Sequence, residues 1–223
     1  MTAALFDLDD TLYREMDYVE GGFRAVAEFL GGRYGLKEET VLDKTMSILH
    51  TSGRGKIFDK LIELLGISNE EIVRYLIYMY RTHKPAISVY EDVIPVFEHL
   101  RSVGVKTGLI TDGMAIVQQN KVSALGIAGL FDVIIYTDAI GAEYWKPSPV
   151  AFKMALNILN TPACESVYVG DDPSKDFIAP NALGMKTVRI IRDSDTHKQT
   201  PEGQGFAAQT IHNSLSEYFM VVP

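Results

Sequence analysis

At 223 residues, 47 % of them hydrophobic, the chain is long enough for one large core or for a core with an inserted domain. A formal net charge of −8 excludes nucleic acid and anionic membrane as main partners, and a single cysteine, Cys164, excludes an intramolecular disulfide or a multi-cysteine zinc site. Residues 1–6 carry no basic n-region and no apolar run reaches membrane-spanning length, so neither a signal peptide nor a transmembrane segment is expected, and cytoplasmic residence is the expectation.

The chain opens on an apolar run, Ala3-Ala4-Leu5-Phe6, that ends abruptly in Asp7, Asp9 and Asp10. A short apolar run followed by a polar turn has the form of a buried parallel strand, and such sheets carry their chemistry just beyond the carboxyl ends of the strands. Carboxylates this close favour protonation of one of them or recruitment of a cation, and hard oxygen ligands suit magnesium. The stretch therefore predicts a metal site.

After Tyr13 the apolar period becomes helical and stays so to about residue 86. Phe23, Val26, Ala27 and Leu30 share one face, and Gly31, Gly32 and Gly35 are expected to break that helix. Residues 41–50 and 56–65 read as the next two helices. Ser68 with Glu71 reads as a capping box for a fourth, with Ile72, Leu76, Met79 and Tyr80 on one face and Pro85 beyond its end. Between the second and third lies the glycine-flanked basic loop of residues 51–56. Arg54 and Lys56 are there either as solvated turn residues or to meet an anionic part of a substrate. Tyr75, Tyr78 and Tyr80 read as packing rather than as a ligand platform. Residues 14–86 hold 11 basic and 11 acidic residues, so the whole net charge falls on the remainder.

The core resumes near Val89. Residues 92–103 read as a helix stopped by Gly104, and 105–110 as a buried strand ending in Thr111-Asp112-Gly113. A hydroxyl at that position can donate to a phosphate oxygen, while the helix at 115–125 turns its positive end toward the same anion. A third strand is expected at 131–136. Lys146-Pro147 then leads into a helix at 149–159, with Ser148 as N-cap and Pro149 in its first position. A fourth strand at 166–169 ends in Gly170-Asp171-Asp172-Pro173-Ser174-Lys175-Asp176. A short helix at 179–183, a fifth strand at 186–191, an exposed loop at 192–206, an edge strand at 207–211 and a helical turn at 214–219 complete the chain.

Asp7-x-Asp9-x-Thr11 after the first strand, Thr111 after the second, Lys146 before a helix, and Asp171 with Asp176 after a later strand stand in a fixed order. That series resembles the four signatures of the haloacid dehalogenase (HAD) superfamily of phosphoryl-transfer enzymes. The resemblance implies an α/β fold: a Rossmann-like, doubly wound parallel sheet core at 1–13 and 87–223, with an α-helical cap inserted at 14–86 that covers the active site and selects the substrate.

It also implies roles. Asp7 is the nucleophile that forms an aspartyl-phosphate, and Asp9 is the general acid and then base, protonated when substrate binds. Thr111 and Lys146 are catalytic and, with Asp112, Gly113, Arg54 and Lys56, substrate-binding. Magnesium is expected on Asp7, the backbone carbonyl of Asp9 and Asp171, with Asp176 completing the metal shell and fixing Lys146; Asp172 in place of Asp171 stays open. Thr11 is expected to tie its loop to the next turn, and Asp10 faces outward without a role. Asp112 departs from the family pattern, which often has Asn there.

The function expected is a magnesium-dependent phosphatase of a small phosphorylated metabolite, such as a sugar phosphate, phosphoglycolate or a nucleotide, working as a monomer or homodimer. A phosphomutase would keep the same residues, and a non-catalytic binding or regulatory module would keep the fold. Asp9, Asp171 and Asp176 argue against a dehalogenase, and phosphonate cleavage would want a Schiff-base lysine, for which Lys56 is the candidate.

Overall fold

A computed structural model describes residues 1–67, 71–192, 201, 203 and 205–220. The chain divides into two compact units, one of Met1–Glu15 with Ile87–Pro223 and one of Met16–Ala86.

The first unit is built on a six-stranded sheet in which every pairing is parallel. Its strands are β1 (Ala3–Phe6), β2 (Lys106–Thr111), β3 (Val133–Tyr136), β4 (Ser166–Gly170), β5 (Lys186–Ile190) and β6 (Thr210–His212), in the order β3-β2-β1-β4-β5-β6. This is the α/β parallel-sheet core that the family resemblance implies, built from the apolar runs read as buried strands. β1 lies inside the sheet, with Phe6 level with Leu109 of β2 and Val169 of β4. The chain winds outward from β1 to β3 and then returns to β4 on the other side of β1. That reversal opens a crevice at the carboxyl ends of β1, β2 and β4. Gly108 in β2 is required by close approach, since a Cβ there would stand 2.6 Å from the Leu5 side chain.

In the second unit, α1 (Glu15–Tyr34), α2 (Glu38–Ser52), α3 (Ile57–Leu64) and α4 (Glu71–Thr82) pack around Phe23, Leu30, Val41, Leu61 and Leu76. Here the structure departs from the sequence reading, because α1 runs straight through Gly31 and Gly32 and stops only before Gly35, whose φ is +67°. Each interior glycine costs a helix about 1 kcal/mol, but α1 buries Tyr18, Val19, Phe23, Val26, Ala27 and Leu30 along one stripe, and that burial outweighs the cost. Gly22 contributes directly: a Cβ there would stand 2.5 Å from the Tyr80 ring of α4. Ser68 of the expected capping box lies outside the described residues.

Back in the sheet unit, α5 (Val93–Ser102), α6 (Ala115–Leu125), α7 (Val150–Leu159), α8 (Ile178–Leu183) and α9 (Leu215–Phe219) cover the strands. Phe152, Tyr168, Phe177 and Leu5 belong to one buried cluster, while the Phe6 ring meets those of Phe97 and Phe219 in tilted contacts, at centroid distances of 4.8 and 5.8 Å. α7 begins at Val150, one residue later than expected, although the Ser148 hydroxyl still accepts from the Val150 N–H. The edge strand is Thr210–His212 rather than 207–211, and Ser214 caps α9 by accepting from the Glu217 N–H.

Arg192 corrects the sequence reading, which made it the start of an exposed loop. It is buried because its guanidinium forms two bonds of 3.0 Å to the Asp92 carboxylate, donates to the Thr11 carbonyl at 2.9 Å and lies 4.1 Å over the Tyr90 ring. Residues 193–200 of that segment lie outside the described residues.

Candidate active site

Asp7 continues β1 by one step, its N–H donating to the Val169 carbonyl, so its side chain stands at the mouth of the crevice. It is only 2 % exposed. Oδ1 accepts from Lys146 Nζ at 2.6 Å, and Oδ2 is buried with no hydrogen-bond partner among the described residues. Burial, reinforced by Asp176 and Asp9 against the pull of Lys146, raises the Asp7 carboxyl from 3.8 to about 6.

Lys146 reaches this point from the loop before α7. Its ammonium also bonds to Asp176 Oδ1 at 2.7 Å and to the Tyr168 hydroxyl at 3.1 Å. Burial alone would lower its pKa, but Asp176 and Asp7 hold it charged, well above the ordinary lysine value. Asp176 is fully engaged: Oδ1 meets Lys146, and Oδ2 accepts from the Asp171 and Asp172 N–H groups at 3.2 and 2.9 Å. Burial opposes its ionisation, and Lys146 and Lys175 outweigh burial, so its pKa falls below the usual range. Gly170 makes this possible, because a Cβ there would lie 2.5 Å from Asp176 Oδ2.

Carboxylate oxygens of Asp7, Asp171 and Asp176 lie within 4.8 Å of one another. Together with the orphaned Asp7 Oδ2, this all-oxygen set fits a hard divalent cation. Asp172 is used differently, its Oδ1 accepting from the N–H and the hydroxyl of Ser174 at 2.9 and 2.6 Å. The Asp171 carbonyl accepts from Arg189 Nε at 3.0 Å.

Thr111 ends β2, and its hydroxyl accepts from Gln118 Nε2 at 2.5 Å. Asp9 is held on both oxygens: the Tyr13 hydroxyl and Lys121 Nζ donate to Oδ1 at 2.5 and 2.7 Å, and Gln118 Nε2 donates to Oδ2 at 2.8 Å. Burial acts to raise the Asp9 carboxyl, but Lys121 and the three hydrogen bonds prevail and bring it down to about 2.

The model of the haloacid dehalogenase-like hydrolases matches residues 4–190 of this chain. The chain belongs to that family. It is 35 % identical to a glyceraldehyde 3-phosphate phosphatase of Methanocaldococcus jannaschii, over 98 % of this chain and 95 % of that protein. It is 28 % identical to a ribulose-1,5-bisphosphate 5-phosphatase of Halopiger xanaduensis, over 84 % and 83 % of the two chains. A crystal structure of a HAD phosphatase from Thermococcus onnurineus superposes with a TM-score of 0.64 at 26 % identity, covering 99 % and 97 %.

This HAD-like hydrolase brings Asp7, Asp9, Thr111, Lys146, Asp171 and Asp176 together at the carboxyl ends of β1, β2 and β4. Asp112 bonds within the same unit: its Oδ1 accepts from the Thr137 hydroxyl at 2.7 Å and the Lys146 N–H at 3.2 Å, so it braces the loop that carries Lys146. Gly113 has φ +110°, which glycine adopts without strain. The Thr11 hydroxyl is buried without a partner among the described residues, and the tie expected of it runs instead through its carbonyl to Arg192. Asp10, at φ +55°, accepts from the Glu15 N–H and so caps the start of α1. In the helical unit, Arg54 and Lys56 line a cavity of about 450 Å³ with Arg81, Phe23, Phe58 and Tyr80.

Sequence reasoning missed Tyr13, Gln118, Lys121, Tyr168 and Lys175. One signal for Gln118 and Lys121 was present, a polar pair spaced i, i+3 on the helix directly after Thr111. No helix of the described residues is long and apolar enough to cross a membrane.

Proposed function

We propose that this HAD-like hydrolase is a magnesium-dependent phosphatase of a small phosphorylated metabolite, working through an aspartyl-phosphate on Asp7. The observation that carries the reading is a buried carboxylate, Asp7, with one oxygen on a buried lysine and the other without a partner among the described residues, inside a three-carboxylate cluster. That arrangement is poised to bind a cation and to attack an anion.

Asp7 and Asp171, with Asp176 behind them, would hold the cation. When bound, magnesium would neutralise charge that otherwise repels a phosphate dianion. The chain's own residues carry the steps. An Asp7 oxygen attacks phosphorus in line as the bond to the leaving oxygen breaks, and that oxygen takes a proton from Asp9. A phosphate dianion beside Asp9 is a like charge, which favours the protonated form this step needs. Water then attacks the phosphorus, Asp9 takes a proton back, and Asp7 leaves as carboxylate. Lys146 and the Thr111 hydroxyl offset the charge that develops on the transferring group. Gly113 brings backbone close to the same group, with Asp112 holding the Lys146 loop. Arg54 and Lys56 are proposed to recognise an anionic part of the substrate.

The names of the relatives put glyceraldehyde 3-phosphate and ribulose 1,5-bisphosphate at the head of the substrate panel. The test is phosphate release from a panel of sugar phosphates, phosphoglycolate and nucleotides, with and without magnesium, for wild type and Asp7→Asn. Magnesium-dependent release that vanishes in the variant supports the reading. Release unaffected by the substitution refutes it, and transfer to a second sugar hydroxyl without net phosphate release makes the protein a mutase.

A further inference from the structure

We propose that Gln118 and Lys121 are positioning residues that aim the Asp9 carboxylate, leaving Oδ2 as its working oxygen and tying it to the Thr111 hydroxyl. The first indication is a broken pattern. The buried residues of α6 are Gln118, Lys121 and Val122, so the face that should be apolar is mostly polar. Such local violations concentrate where function requires them.

The hydrogen bonds say what the pair does. Gln118 Nε2 has two hydrogens; one goes to Asp9 Oδ2 and the other to Thr111 Oγ1. With Thr111 Oγ1 accepting from Gln118, the hydroxyl hydrogen is left to donate to a phosphate oxygen. A carboxylate offers about four acceptor sites on its two oxygens. Tyr13 and Lys121 fill both sites on Oδ1, and Gln118 fills one on Oδ2. The remaining site is on Oδ2, on the atom that Gln118 links to Thr111. The same amide thus sets where the phosphate oxygen binds and where the proton is delivered. Lys121, buried beside Asp9, keeps the carboxylate from rotating by holding Oδ1.

The proposal rests on the reading of Asp9 as proton donor to the leaving group. Its test compares Gln118→Ala and Lys121→Met with wild type on two esters. One is the best alkyl phosphate of the panel, whose leaving alkoxide needs a proton. The other is p-nitrophenyl phosphate, whose leaving phenolate does not. The expected result is a kcat/KM on the alkyl ester lowered roughly 10- to 100-fold and a much smaller loss of kcat/KM on the aryl ester, since kcat/KM reports formation of the aspartyl-phosphate and not the hydrolysis step that the two esters share. Lys121→Arg, which keeps a charged donor, should recover part of the loss. In an Asp9→Asn background Lys121→Met should cost no further turnover, because nothing is left for it to aim, while Gln118→Ala should keep only the part of its loss that runs through Thr111 and is the same on both esters.

Equal loss of kcat/KM on both esters, or a Lys121→Met loss that is fully additive in the Asp9→Asn background, would overturn the proposal and make the pair structural support only. If Gln118→Ala does not fold, Gln118→Met preserves the side-chain volume and faces the same comparison. Asp9→Asn alone separates the two ideas. Equal loss of kcat/KM on both esters in that variant sinks the reading of Asp9 as proton donor and the proposal with it. Selective loss there, unmatched in the Gln118 and Lys121 variants, sinks only the positioning.

Discussion

Asp9 and Lys121, 112 residues apart in the chain, meet at 2.7 Å, and the lysine is 4 % exposed. A buried ammonium is tolerated only beside a counter-charge, so each residue holds the other in place. Removing the cation by Lys121→Met should cost about 2 kcal/mol, below the 3–5 of a fully buried pair because Asp9 keeps some contact with solvent. The effect has a sign in pH. Asp9 is depressed from 3.8 to about 2, so its contribution is present above the unfolded value and is lost as pH falls through that interval. Urea unfolding at pH 7 and near pH 2 should therefore show a gap between wild type and Lys121→Met that closes on the acid side.

Asp7 behaves in the opposite sense. Its carboxyl is raised from 3.8 to about 6, so folding favours the protonated form and ionisation above that value costs stability. In metal-free protein, Asp7→Asn should be more stable than wild type at pH 8 by on the order of 2 kcal/mol, with the gain disappearing by about pH 4. Thermal unfolding across that range checks it, and the same variant should have no phosphatase activity.

Magnesium should raise the melting temperature of wild type, since a cation that binds only the folded state stabilises it by mass action. The shift should be lost or moved to much higher magnesium in Asp171→Asn and preserved in Asp172→Asn, whose carboxylate is occupied by Ser174. A reversed result would make Asp172 the ligand.

Gly170→Ala should be damaging out of proportion to one methyl group. Its Cβ would stand 2.5 Å from Asp176 Oδ2, so the carboxylate that anchors Lys146 must shift. Overpacking of this kind costs about 1–3 kcal/mol, and the displaced Asp176 should weaken magnesium binding as well. Denaturant unfolding and a magnesium titration together separate the two effects.

Local pattern carried much of this protein's architecture. Apolar runs such as Ala3–Phe6 and Ser166–Gly170 ending in carboxylates announce buried parallel strands, and the change to a helical period after Tyr13 announces the inserted helices. Those signals are local because burial acts on each residue with its near neighbours in sequence. They also bring Asp7, Thr111, Lys146 and Asp171 to one edge, since parallel strands all end on the same side.

What only the tertiary structure decided is which distant groups face one another. Period alone says that α6 has a buried face; it does not say that Asp9 stands opposite, so Gln118 and Lys121 read as ordinary polar positions. Nothing near Asp112 in the sequence says that its Oδ1 meets the Thr137 hydroxyl and the Lys146 N–H, 25 and 34 residues away. Gly31 and Gly32 looked like a helix end because propensity is local, while the burial of Leu30 and its stripe is not. Arg192 looked exposed because its partners, Asp92 and the Thr11 carbonyl, lie 100 and 181 residues away. In each case a polar group or a glycine owes its place to a partner distant in sequence, and the pairing exists only once the sheet has closed.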